Sequence, residues 1–243
     1  VKSSWNKKGT GKMVDIDSRI EQKRDRIHQS HRLDQGQPAL IVVDMQHGFL
    51  DEGASLEVAA GRAILPNIAQ IVEACRAQHV PVIFTEFVYA TTIPCLRGEP
   101  FGPEHLPHQE GEPTGYTYPS NNCLVGPGAG EGVESADTVE QLAPAADELV
   151  IRGHTYDKFY GTHLDLALRS MQVDRLILTG ITTDVCVNST LISASTRNYR
   201  VTAVTDATAA IEDHIQQACL DIWQNKFARL ATTEGVVEEI QHR

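Results

Sequence analysis

Two rhythms of hydrophobic and polar positions alternate along most of the chain. Ala39-Leu40-Ile41-Val42-Val43 is a continuous apolar run that ends at Asp44. Such a run suits a strand buried on both faces of a parallel sheet. Residues 61–78 then carry Ile64, Ile68, Ile71, Val72 and Cys75 at helical spacing. Val80-Pro81-Val82-Ile83-Phe84 follows as a strand, which makes a strand–helix–strand unit. The alternation lapses over 88–136, a stretch rich in Gly, Pro and aromatics, and resumes with a strand at 149–151 and a helix over 164–171. Further strands are predicted at 175–179, 201–204 and 228–231, and helices over 184–197, 211–227 and 234–240. Strands alternating with helices predict an α/β fold: one doubly wound, parallel sheet with helices on both faces. The body spans 37–243, and residues 1–36 read as an N-terminal arm with a short helix over 18–30, capped by Asp17 or Ser18. The irregular stretch 88–136 is expected to be an ordered lid or insert.

Composition narrows the class of protein. Of 243 residues, 41% are hydrophobic and 22% charged, enough for a sizeable core and too little charge for a disordered chain. The net charge is −11, but residues 1–33 hold nine Lys or Arg against four Asp or Glu, so the rest carries −16. An acidic body argues against nucleic acid as a partner. The basic head is expected to be a solvated leader. No apolar run reaches the ~18 residues of a membrane span, and the first residues lack the plan of a signal peptide. Five cysteines, at 75, 95, 123, 186 and 219, form no CxxC pair. Reduced thiols in a cytoplasmic compartment are therefore expected rather than a disulfide framework or a zinc ribbon.

Two strand ends carry candidate chemistry. Asp44 closes the first strand, and Gly180-Ile181-Thr182-Thr183-Asp184-Val185-Cys186 follows the fourth. In a sheet of order 3-2-1-4-5-6 these strands are neighbours at the topological switch point, where open α/β sheets bind ligands. Cys186 would then lie in the first turn of a helix. There, free N–H groups and the positive dipole end would lower its thiol pKa and hold an oxyanion. A neighbouring carboxylate could take the thiol proton and deliver it to a leaving amine. The same two residues also fit a buried small hydrophobe and a turn former.

The sequence resembles the isochorismatase-like cysteine hydrolases across residues 38–240. Three segments carry the likeness: Ile41-Val42-Val43-Asp44-Met45-Gln46, Tyr156-Asp157-Lys158-Phe159-Tyr160-Gly161-Thr162, and Thr179-Gly180-Ile181-Thr182-Thr183-Asp184-Val185-Cys186-Val187. The resemblance implies a six-stranded sheet of order 3-2-1-4-5-6 and an Asp–Lys–Cys triad. In it Asp44 is the general acid/base and Cys186 the nucleophile. It also implies a cis peptide at Ile181-Thr182 that aims the Thr182 and Cys186 N–H groups at one oxyanion. A cysteine at 186 points to the amidases of the family rather than to isochorismatase proper.

The lysine departs from the family pattern. Counting six positions back from Phe159 gives Gly153. Of the flanking cations, Arg152 should face away from a site that position 153 faces, and Lys158, on the loop leaving the strand, is the expected third member. An impaired triad is the alternative. Gln46, Phe49, Phe87 and Tyr160 are candidate pocket residues, each also explicable as packing. The stretch Thr85-Glu86-Phe87-Val88-Tyr89 lacks the Asp-x-His cluster of nicotinamidase metal sites, so neither metal nor cofactor is expected. The glycine-rich Gly126-Pro127-Gly128-Ala129-Gly130 follows no predicted strand and is an unconvincing phosphate loop. The expected activity is hydrolysis of a C–N bond in a small amide or ureido compound through a thioester. The rival is an impaired relative that binds a small molecule or partner protein. A homo-oligomer, dimer or tetramer, is expected.

Overall fold

The computed structural model describes residues 15–54, 56–88, 90, 122–126 and 135–243. Its element order is α1 (Ile16–Ser30), β1 (Pro38–Val43), α2 (His47–Leu50), α3 (Ala59–Ala77), β2 (Val82–Phe87), β3 (Leu149–Gly153) and α4 (Leu164–Ser170). There follow β4 (Arg175–Ile181), α5 (Asn188–Thr196), β5 (Arg200–Ala209), α6 (Asp213–Ile222), β6 (Arg229–Ala231) and α7 (Thr233–Gln241). The six strands form one sheet in the order β3-β2-β1-β4-β5-β6, and the pairings are parallel. The expected fold and strand order are those observed.

Side chains that alternate along buried strands divide the core into two layers. Leu40, Val42, Phe84 and Ile177 face α3 and α7, whose Ile64, Ile68, Ile71, Val236 and Ile240 cover that side. Ala39, Ile41, Val43, Ile83 and Leu178 face the opposite layer, where Leu164, Leu168, Leu191, Ala194 and Trp223 pack. Burial on both faces is why the strands read as unbroken apolar runs. Register then brings the ends of four strands level. Val43 sits opposite Thr85 and Gly180, and Phe87 opposite Gly153.

Several boundaries differ from expectation for physical reasons. The fifth strand runs to Ala209, well past Val204. Its polar Thr205-Asp206 hid the continuation, yet the Asp206 carboxylate accepts from the Thr233 N–H at 2.8 Å and hydroxyl at 2.9 Å at the start of α7. The helix expected over 211–227 is α6 followed by a π-helical turn at Trp223–Phe227. That turn is anchored by the buried Trp223 indole, which donates to Asn188 at 2.8 Å. The arm helix begins at Ile16 and is capped by Asp15, which accepts from the Ser18 N–H at 3.3 Å, rather than by Asp17 or Ser18. Helix α1 buries none of its residues. The chain after it docks through buried Leu33, whose N–H donates to Glu239 on α7 at 3.0 Å. Most of the 88–136 stretch, with Cys95, His105 and His108, lies outside the described residues. No described helix is long and apolar enough to cross a membrane.

Candidate active site

The site forms where β1 and β4 end side by side. Gly180 has φ +106°, and a Cβ there would stand 2.1 Å from the Val43 carbonyl oxygen. Only glycine permits that approach and that backbone angle. Just beyond Val43, Asp44 takes the left-handed φ of +51°, a conformation aspartate tolerates better than most residues. Its N–H donates to the Thr85 carbonyl at 3.0 Å, which holds the turn against β2. The Asp44 side chain is fully buried. Its Oδ1 accepts from the Thr85 hydroxyl at 2.7 Å, and its Oδ2 lies 2.7 Å from Lys158 Nζ.

Lys158 reaches this point from the loop after β3 and is also fully buried. Its ammonium donates to the Thr155 carbonyl at 3.3 Å and stands 5.3 Å from the Phe87 ring centroid. Burial alone would pull the lysine pKa down, but the Asp44 carboxylate, and then Cys186, outweigh it and hold the pKa above its ordinary value. A Cβ at Gly153 would lie 3.8 Å from Lys158 Cδ. The lysine stem therefore occupies the space that position 153 faces. Arg152 points elsewhere, donating to Glu86 at 2.8 Å and Asp137 at 2.6 Å.

Cys186 is 7% exposed and close enough to Asp44 and Lys158 for both charges to act on it. It lies in a π-helical turn, Thr183–Val187, ahead of α5 rather than in the first turn of that helix. The Val185 and Val187 N–H groups of the turn both donate to the Thr182 carbonyl at 3.1 Å. The Ile181–Thr182 peptide is cis, as the resemblance implies. One expectation fails. Burial pushes the Cys186 thiol well above its ordinary pKa, and the Asp44 charge pushes the same way, while Lys158 opposes them. Desolvation thus outweighs any help from a helix end.

The other candidates divide. Phe87 is buried, and its ring lies 5.8 Å from that of Tyr156. With Cys123 and Leu124 it forms a small apolar cluster on which Phe49 packs. Gln46 is buried, but its polar atoms serve the backbone. Its Oε1 accepts from the Phe87 N–H at 2.7 Å, and its Nε2 donates to the carbonyls of Phe87 at 2.9 Å and Ala136 at 2.7 Å. It joins the ends of β1 and β2 to the segment returning from the 88–136 stretch. Tyr160 is 60% exposed and stands apart from the buried group. Sequence reasoning missed Cys123, a fully buried thiol close enough to feel both Asp44 and Lys158, which burial pushes far up. It also missed Thr190, which hydrogen-bonds the Lys158 N–H at 3.2 Å and lies four residues after Cys186, a spacing that signals a shared helix face. Among the described residues no group of three or more His, Cys, Asp or Glu side chains is placed to hold a metal.

A buried carboxylate, ammonium and thiol thus come together at the switch point of a doubly wound sheet. The chain belongs to the isochorismatase family: an Isochorismatase domain matches residues 38–235. Ureidoacrylate amidohydrolase RutB of Yersinia enterocolitica is 34% identical over 194 residues, covering 75% of this chain and 80% of the relative. The Probable inactive nicotinamidase At3g16190 of Arabidopsis thaliana is 29% identical over 207 residues, covering 83% and 95%. The crystal structure of N-carbamoylsarcosine amidase from Thermoplasma acidophilum superposes with a TM-score of 0.59 at 25% identity, covering 82% of this chain and 97% of that one.

Proposed function

We propose that the chain is an amidohydrolase that cleaves the C–N bond of a small amide or ureido compound through a thioester on Cys186. The observation that carries this reading is the 2.7 Å contact between buried Lys158 and buried Asp44 beside the thiol. As substrate binds, Asp44 takes the thiol proton and the sulfur attacks the amide carbon. The charges of the three groups sum to zero before and after that transfer. The ammonium faces a carboxylate first and a thiolate afterwards, so no net charge is created in a dry site. The Thr182 and Cys186 N–H groups hold the oxyanion. Collapse of the tetrahedral intermediate expels ammonia or an amine, which takes its proton from Asp44. Water then attacks the thioester, giving its proton to Asp44, and the released thiolate recovers that proton as the acid departs.

RutB and N-carbamoylsarcosine amidase, by their names, act on ureido and carbamoyl compounds, which supports that substrate class here. Phe87, with Phe49 packed beside it, supplies an apolar wall, and the reaction requires no metal or cofactor. The four described cysteines are free, which fits a reducing, cytoplasmic setting. Helix α1 buries none of its residues and leaves Ile16 and Ile20 exposed one turn apart, which supports a homo-oligomer that covers this face. The rival reading, a binding protein that has lost turnover, rested on Gly153. It is disfavoured because a lysine from the neighbouring loop reaches Asp44. Ammonia release across a panel of ureido, carbamoyl and simple amides tests the proposal. The wild-type protein turns over at least one and Cys186→Ala none. Equal release by both, or by neither, overturns the reading.

A further inference from the structure

Lys158 sits on a loop, not on the strand end, so something must fix its ammonium relative to the nucleophile. The contacts around residues 155–162 converge on one stripe of α5. The Thr190 hydroxyl is buried between two backbone groups of that loop. It accepts from the Lys158 N–H at 3.2 Å and donates to the Tyr156 carbonyl at 3.3 Å. One turn on, the Ser193 hydroxyl donates to Asp157 Oδ2 at 2.8 Å, while Asp157 Oδ1 accepts from the Phe159 N–H at 2.9 Å. Further on, Arg197 lies 4.9 Å over the Phe159 ring and donates to Ser193. From the far side, Thr162 donates to the Lys158 carbonyl at 2.6 Å. Thr190 and Ser193, three apart, share one face of α5, Arg197 follows just past its end, and Cys186 lies in the turn that leads directly into the helix.

Resting on the reading of Lys158 as the triad cation, we propose that Thr190 is a positioning residue that locks the Lys158 loop to the nucleophile-bearing element. Ser193 acts through Asp157 as its second grip. The single hydroxyl satisfies one donor and one acceptor of the loop backbone, which no apolar side chain of the same shape can do. A loop released from α5 would let the ammonium drift from both Asp44 and Cys186. A displacement of about 1 Å in a reacting constellation costs about 10²-fold in rate.

Three variants test this: Thr190→Val, which keeps shape and removes the hydroxyl, Thr190→Ser, which keeps the hydroxyl, and Ser193→Ala. Two readouts are needed, steady-state kinetics on an accepted amide and the pH dependence of Cys186 alkylation by iodoacetamide, which requires no substrate. Thr190→Val is expected to lower kcat by about 10–100-fold with KM nearly unchanged, and to move the alkylation profile to higher pH. Thr190→Ser should stay close to wild type on both measures, and Ser193→Ala should shift the profile the same way by less. A Thr190→Val protein that loses thermal stability but keeps the wild-type alkylation profile and kcat would overturn the proposal. So would a Thr190→Ser protein as impaired as Thr190→Val, or an unshifted profile in both Thr190→Val and Ser193→Ala. Because alkylation is read without turnover, failure to find any substrate would count against the amidohydrolase reading and leave this proposal to be decided by the profiles.

Discussion

Replacing Lys158 by methionine removes the ammonium and keeps most of the stem. In the intact site Nζ lies 2.7 Å from Asp44 Oδ2, a separation at which two unit charges attract by ~6 kcal/mol at an effective dielectric of about 20. Desolvation of both groups offsets part of this. If about half of the attraction carries over to the thiolate that forms during acylation, its loss is ~3 kcal/mol, or about 10²-fold in rate at 1.36 kcal/mol per decade. Because the thiolate would then form in a dry site with no ammonium to face it, the loss should reach about 10²–10⁴-fold in kcat/KM. The assay is initial-rate ammonia release by Lys158→Met on one accepted amide, with a thermal melt to show that the variant is folded. Gly153→Lys is the companion variant. Its new side chain would start 3.8 Å from Lys158 Cδ and 3.5 Å from Thr162 Cγ2, so it should leave activity unchanged or reduce it by crowding. Full activity in Lys158→Met, together with a gain in Gly153→Lys, would refute the assignment and mark Gly153 as a lost triad position.

Three further outcomes are expected. Alkylation of wild-type Cys186 should keep accelerating as pH rises past the ordinary thiol range, because burial and Asp44 hold its proton on; a rate that levels off below neutral pH would contradict this. His31 has its pKa lowered to about 4 by burial and Arg200, below the unfolded value of about 6.5. The unfolded chain then binds the extra proton first, so wild-type stability should fall as pH drops from about 6.5 towards 4, and denaturant melts of His31→Gln should show a shallower decline over that window. Light scattering at micromolar protein should give a multiple of the 26.7 kDa chain mass; the mass of one chain would remove the oligomer from the account.

The sheet was legible because strands buried on both faces print themselves as apolar runs, and the strand order followed from resemblance. Asp44 and Cys186 were legible because each stands at a strand end in a recognisable segment. What escaped was set by long-range contact. Nothing local in Thr205-Asp206 shows that those polar residues continue a strand and cap α7. Gln46 was a candidate pocket residue with packing as the equal alternative, and its amide binds backbone at positions 87 and 136, far away in sequence. The thiol pKa was misjudged because a helix end is visible in sequence and the depth of burial is not. Spacing narrowed the cation to Lys158 or none, and the path of the loop over α5 brings Lys158 to Asp44.

The central claim is covalent amide hydrolysis at Cys186 driven by the buried Asp44–Lys158 pair. Acid quenching within one turnover of an accepted ureido or amide substrate, followed by mass analysis of the protein and its peptides, tests it most directly. The account predicts a transient mass gain equal to the substrate less the departing amine, on the peptide containing Cys186 and absent from Cys186→Ala. Steady turnover with no adduct on that peptide, or turnover by Cys186→Ala at the wild-type rate, would contradict it.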